Sequence, residues 1–260
     1  MIRKSATGAI VALAVIWGGG TWYTGTQIQP GVEKFIKGFN DAKKKGEHAY
    51  DMTLSYKNFD KGFFNSRFQM QMTFDNGAPD LNIKPGQKVA FDVDVEHGPL
   101  PITMLMRGNV IPALAAAKVN LVNNELTQPL FIAAKNKSPV EATLRFAFGG
   151  SFSTTLDVAP AEYGKFSFGE GQFTFNGDGS SLSNLDIEGK VEDIVLQLSP
   201  MNKVTAKSFT IDSLARLEEK KFPVGESESK FNQINIINHG EDVAQIDAFV
   251  AKTRLDRVKD

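Results

Sequence analysis

From Asp51 onward the side chains alternate apolar and polar with a period of two, and few folds are compatible with that pattern. Phe68, Met70, Met72 and Phe74 interleave with Arg67, Gln69, Gln71 and Thr73, and Val89, Phe91, Val93 and Val95 with Ala90, Asp92, Asp94 and Glu96. Ala142, Leu144, Phe146 and Phe148 follow, then Phe152, Thr154, Leu156 and Val158 beyond a Gly149-Gly150 turn. Shorter runs come later: Phe166 and Phe168, Phe173 and Phe175, Ile194 to Leu198, Phe209 to Ile211, Ile234 to Ile237 and Val243 to Phe249. Strict alternation predicts antiparallel strands with one buried and one solvated face. Turn signals fall between the runs at Asp75-Asn76-Gly77, Lys84-Pro85-Gly86, Gly169-Glu170-Gly171 and Asn176-Gly177-Asp178-Gly179. After Lys137 there is no room for the helical crossovers that parallel strands need. The body is therefore expected to be mainly β: an extended antiparallel sheet, built as a sandwich, a barrel or a long curled sheet with an apolar concave face. The candidate apolar face comprises Phe68, Met70, Met72, Phe74, Phe91, Val93, Leu144, Phe146 and Phe148. RLDRVKD follows directly on the last strand pattern, which leaves an edge open to pairing.

Two stretches depart from period two. Ser5 to Tyr23 is nineteen residues without a charge, preceded by Arg3 and Lys4. At about 1.5 Å per residue such a helix spans roughly 28 Å, close to the ~30 Å hydrocarbon core of a bilayer. Ile10, Val11, Leu13, Val15 and Ile16 are its apolar body, and Trp17, Trp22 and Tyr23 gather where headgroups would lie. Residues 1–25 read as a cytoplasmic tip and single-span transmembrane anchor. A cleaved signal peptide is the rival reading, and the aromatic end and the helical pattern that follows at once favour retention. Arg3 and Lys4 favour a cytoplasmic N-terminus, and the Gly18-Gly19-Gly20 triplet would let two such helices pack closely. In 26–45, after Pro30, Val32, Phe35, Ile36 and Phe39 recur at i, i+3, i+4 and i+7. That spacing predicts a short amphipathic helix from about Gly31 to Lys44, which lies on the membrane or, more often for such stripes, caps the core. Residues 46–260 read as one β-rich domain, with an irregular or helical insertion at about 101–137 that includes two turns of helix after Pro129.

The chemistry that is missing is informative. The chain has 29 basic and 30 acidic side chains, so nothing calls for a nucleic-acid partner. Having no Cys, it can form no disulfide, thiolate metal site or Cys nucleophile. His48, His97 and His239 are scattered without metal-ligand spacing and read as surface or turn residues. Asp92 and Asp94 share one strand face and read as solvated. No phosphate-binding glycine loop, nucleophile motif or cofactor motif occurs, so no catalytic, metal or cofactor residue is assigned, and a non-enzymatic protein is expected. The 20 Phe against 4 Tyr fit a β core or an open apolar groove for acyl chains, and alternation is the same for both.

Four strings carry a resemblance: GGTWYTGTQIQ (Gly19 to Gln29), YKNFDKGFFNSRFQ (Tyr56 to Gln69), VEHGPLP (Val95 to Pro101) and VIPALAAAKVNLVNNELTQPLF (Val110 to Phe131). They resemble the YdgA/YihF family of Gram-negative envelope proteins, built around a domain of unknown function and considerably longer than this chain, which looks like their N-terminal part. The resemblance implies an inner-membrane anchor and a periplasmic remainder, and brings no reaction or catalytic residue. Its motif positions, Gly62, Phe64, Ser66, His97, Gly98, Pro99, Asn123, Asn124 and Glu125, read as structural punctuation before binding surface: Gly62 a turn, Gly98-Pro99 a strand end, Asn123-Asn124 a loop able to take the left-handed region. The layout also looks like AsmA-type envelope proteins whose curled sheets hold lipid, an analogy of architecture alone. The functional expectation is envelope maintenance through a lipid or other hydrophobic ligand on an apolar sheet face. A protein-interaction scaffold, with a homo-oligomer or an envelope protein as partner, is the alternative. An envelope hydrolase would need opposed carboxylates or a Ser–His pair in a cleft, and the sequence displays neither.

Overall fold

The computed structural model describes residues 2–44, 50–98, 112–178, 184–218 and 222–256, with side chains throughout except at 2–22, 217–218 and 222–223. The anchor side chains from Ile10 to Trp22, Pro99, His48 and the 101–111 part of the insertion lie outside the described residues. A single helix, α1, runs Ile2–Lys44 with Pro30 inside it. The chain thus has one long helix where the sequence suggested an anchor and a separate helix from about Gly31 to Lys44. Proline removes one backbone hydrogen bond from a helix interior, but beyond it Val32, Ile36 and Phe39 are half-buried, while Phe35 of the same stripe is exposed, and packing of α1 on the strands outweighs local propensity. Among the described residues no helix is both long and apolar enough to cross a membrane.

The chain divides into two compact units, residues 1–127 with 145–148, and 128–144 with 149–260, where the sequence suggested one β-rich body from about 46. In the first unit β1 (Met52–Lys61), β2 (Asn65–Phe74), β3 (Lys88–His97) and β4 (Ala115–Leu121) pair antiparallel in succession. Leu54 stands opposite Met72, Phe68 opposite Val93, Met70 opposite Phe91 and Val93 opposite Val119. Even spacing thus puts Leu54, Phe68, Phe74, Val93, Val95, Ala115 and Ala117 on one face, where all are buried. That β4 is a strand corrects the expected helical or irregular insertion. Alanine favours helix in isolation, but Ala115 and Ala117 are buried opposite His97 and Val95 on the core face.

In the second unit α2 (Gln128–Ala133) is the short helix expected around Pro129. β5 (Val140–Phe146), whose last two residues are counted with the first unit, and β6 (Ser151–Val158) follow, then the small hairpin β7 (Ala161–Tyr163) and β8 (Phe166–Phe168). β9 (Gly171–Asp178), β10 (Asn184–Ser199), β11 (Asn202–Glu218), β12 (Phe222–Asn238) and β13 (Glu241–Leu255) complete it. The antiparallel order is β5-β6-β9-β10-β11-β12-β13, with β8 pairing β10 beyond the end of β9. Asn176-Gly177-Asp178, expected in a turn, lies inside β9. A Cβ on Gly177 would stand 2.8 Å from the Phe152 ring, so this glycine makes room for an aromatic side chain.

Candidate functional site

The first unit's apolar face is closed. Phe68, Phe74 and Val93 are buried, and Met70, Met72 and Phe91 are half-buried. α1 packs along β1, β2 and β3, and its polar residues finish the edge. The Asn40 amide donates to the Leu54 carbonyl and accepts from the Leu54 N–H, both at 2.9 Å, so it pairs with β1 much as another strand would. Lys43 reaches Asp75 at 2.6 Å and Asp51 at 2.7 Å, and the Thr53 hydroxyl donates to Asp75. The hydrogen bonds from Lys43 and Thr53 hold the Asp75 carboxyl below its ordinary value. Of the remaining face residues, Leu144 is half-buried and Phe146 and Phe148 are exposed.

Inside this face lies a pair that the sequence reading missed. Ser66 Oγ stands 2.9 Å from His97 Nε2, and His97 Nδ1 lies 3.4 Å from the Phe63 carbonyl. Ser66 is opposite Val95, two residues from His97, so the two are diagonal neighbours on one sheet face. Strand register, not local spacing, brings them together across 31 positions. An imidazole that donates from Nδ1 to the carbonyl accepts the serine proton at Nε2, an assignment made from the partners. His97 is therefore buried, not the surface or turn residue expected: it closes β3 on the core face, where α1 passes over it. Burial lowers its pKa, partly opposed by the Phe63 carbonyl. A Ser–His contact is the geometry of an activated nucleophile. Here, however, Ser66 is 0% exposed, and among the described residues no carboxylate is hydrogen-bonded to the ring: Asp94 bonds Arg67 at 2.8 Å and Asn65 at 3.3 Å. The pair is arranged as a satisfied polar contact within the core.

The other motif positions frame these strands. Gly62 donates its N–H to the Asn65 carbonyl in the β1–β2 turn, the exposed Phe64 accepts the His97 N–H, and Gly98 ends β3 at φ 105. Asn124 folds the loop after β4, its Oδ1 accepting from the Leu126 and Thr127 N–H groups. Neither Asn123 nor Asn124 takes the left-handed region; Asn123 and Glu125 are exposed.

The second unit differs in one decisive respect. Register aligns Leu156, Phe173, Gly189 and Ile211, and the next row of the same face holds Thr154, Phe175, Ile187 and Ser213. The rings of Phe209, Phe231 and Phe249 stand side by side across β11, β12 and β13. The intervening positions, such as Thr174, Glu188, Asp212 and Glu228, carry the polar face. Yet among the described residues of β6 to β13 only Gly171 is buried. Lateral neighbours half-cover the apolar rows, and among the described residues no helix packs against β9 to β13. A groove of about 1140 Å³ lies on the charged side, lined by Asp157, Glu188, Lys190, Asp212 and Glu228 among others; an apolar groove was one of the two readings the sequence left open. Among the described residues no group of three acidic or histidine side chains is placed to hold a metal ion.

Comparison with known sequences gives a match over residues 2–260 to the family described as bacterial protein of unknown function, DUF945. The chain belongs to that family. It is 98% identical over 260 residues to the uncharacterized protein YihF of Escherichia coli K12, covering all of this chain and 55% of that protein. Protein YdgA of the same organism is 31% identical over 263 residues, covering 98% of this chain and 52% of the relative. An uncharacterized Haemophilus influenzae protein is 27% identical over 162 residues, 62% of this chain and 42% of the relative. The chain thus spans about half the length of the curated relatives it matches. No solved structure matches it.

Proposed function

We propose that this chain is a non-enzymatic, membrane-anchored envelope protein that binds lipid or another hydrophobic ligand on the apolar face of its second unit. The observation that carries the proposal is that one sheet face from β6 to β13 bears Phe, Ile, Leu and Val in register while Gly171 is the only buried residue among those described. Burying one such side chain fully is worth about 1.5–3 kcal/mol, so half-exposed rows favour an apolar cover. The uncharged run from Ser5 to Tyr23 supports a single span with the N-terminus in the cytoplasm and the sheet on the periplasmic side of the inner membrane. Tethering would place the apolar rows beside their ligand. The hydrolase reading gains nothing from Ser66, which no substrate can touch.

Native mass spectrometry of the full chain, extracted from membranes in mild detergent, tests the proposal. Adducts of phospholipid or fatty-acid mass that survive on the folded protein are expected. A lipid-free protein that also takes up none from added phospholipid vesicles would rule the proposal out.

A further inference from the structure

We propose that the β1–β2 turn is a second membrane contact, at which Phe63 and Phe64 insert among the lipid headgroups on the side of the bilayer where α1 emerges. The proposal rests on the reading of Ser5 to Tyr23 as a membrane span, and it is independent of whether the second unit binds lipid. α1 runs unbroken from that stretch into the first unit, so one helix joins span and sheet. Three sets of contacts fix the direction of β1 along this helix. Asn40 pairs with Leu54. The Tyr56 hydroxyl donates to Glu33 at 2.8 Å and accepts from Gln29 at 3.2 Å. Gly25 lies against the His97 ring, and the His97 backbone N–H donates to the Phe64 carbonyl at 2.8 Å. Residue numbers fall along α1 as they rise along β1, and the turn therefore points back towards the uncharged run.

Distances place the turn at the right depth. From Asn40 to Gly25 is roughly 22 Å of helix, and from Leu54 to Phe63 is up to roughly 30 Å of strand. The turn thus reaches the level of Gly25 although β1 is bulged between Lys57 and Asp60. Tyr23 lies two residues further along α1, roughly 3 Å. At this end of the unit Tyr23, Phe63 and Phe64 are 58%, 53% and 49% exposed, and the two Phe rings meet edge to face at 4.8 Å. Turns ordinarily take small or polar residues, whereas aromatic rings at the tip suit the boundary between headgroups and acyl chains. The backbone there is already paired: the Gly62 N–H donates to the Asn65 carbonyl at 2.7 Å, and the Phe64 carbonyl accepts from His97. Those groups need no water when the turn enters the membrane surface. Asp60 and Lys61 beside the rings cancel in charge, so an anionic surface does not repel the tip. Because α1 already holds the chain at the bilayer, insertion is intramolecular, and a contact too weak to recruit a free protein is sufficient.

The test uses the full chain reconstituted in vesicles of phosphatidylethanolamine and phosphatidylglycerol. Because the chain has no cysteine, the single variants Y23C, F63C, F64C and S55C can each carry a fluorophore, read against lipids spin-labelled near the headgroup. Quenching at F63C and F64C is expected to reach at least half of that at Y23C, and at S55C, near the far end of β1, to stay below a tenth of it. A label on D60C should lose at least half of its quenching when F63S/F64S is added. Quenching at Y23C without quenching at F63C and F64C would overturn this proposal and leave the anchor standing. Quenching at none of these positions would remove the anchor and this proposal with it. A label at F63C or F64C shielded from aqueous iodide yet out of reach of the lipid quencher would also overturn it, since protein would then cover the turn.

Discussion

At Gly25 the backbone of α1 comes so close to the His97 imidazole that a Cβ there would stand 2.6 Å from Nδ1. The ring cannot retreat: Ser66 holds one nitrogen, and the Phe63 carbonyl faces the other. Gly25→Val is therefore expected to destabilise the first unit by about 1–3 kcal/mol, the usual range for overpacking, seen as a lower urea midpoint. His97 itself gives a pH dependence of definite sign. Its folded pKa lies below 6.5, so the unfolded chain takes up a proton first as pH falls. Stability should hold above about pH 6.5 and decline below it, levelling off once the folded imidazole also protonates. His97→Gln should remove that part of the slope in urea titrations from pH 7.5 to 5. An unchanged slope would show that the buried imidazole is not its source.

At the scale of elements, α1 and β1 show how a helix protects a sheet edge. Asn40→Ala leaves the Leu54 N–H and C=O without their partner, and a part-buried pair so exposed costs about 1–3 kcal/mol. Faster hydrogen exchange at Leu54 is the expected signature, with the amides of β3 unchanged. The strands of the first unit were legible because their apolar positions alternate without interruption from Phe68 to Phe74 and from Val89 to Val95. β4 was not, because AAA is helix-favouring in isolation and becomes a strand only beside His97 and Val95. The long strands β10 to β13 were read as fragments for a related reason. In β12 the apolar-face positions Ser227 and Ser229 are small and polar, so GESESK (225–230) hides a strand whose charged face is regular. The Ser66–His97 contact was illegible because it depends on the register between β2 and β3. The alternation of β6 and β9 was legible, but whether it faced a core or open space depended on what packs against it.

At the scale of the whole molecule, the same period-two pattern has two outcomes. In the first unit α1 covers the apolar face, and the strand residues become core. In the second unit no described element covers it, and the rows stay half-exposed. The account's central claim is that these rows receive an apolar ligand. The absence of cysteine allows a direct measurement: single cysteines on β10, labelled in turn with an environment-sensitive fluorophore, in the full chain mixed with phospholipid vesicles. The account predicts a blue shift at Leu185, Ile187 and Val191 and little change at Asp186, Glu188 and Lys190, a period of two that follows the apolar face. Shifts without that alternation, or none at any position, would contradict it.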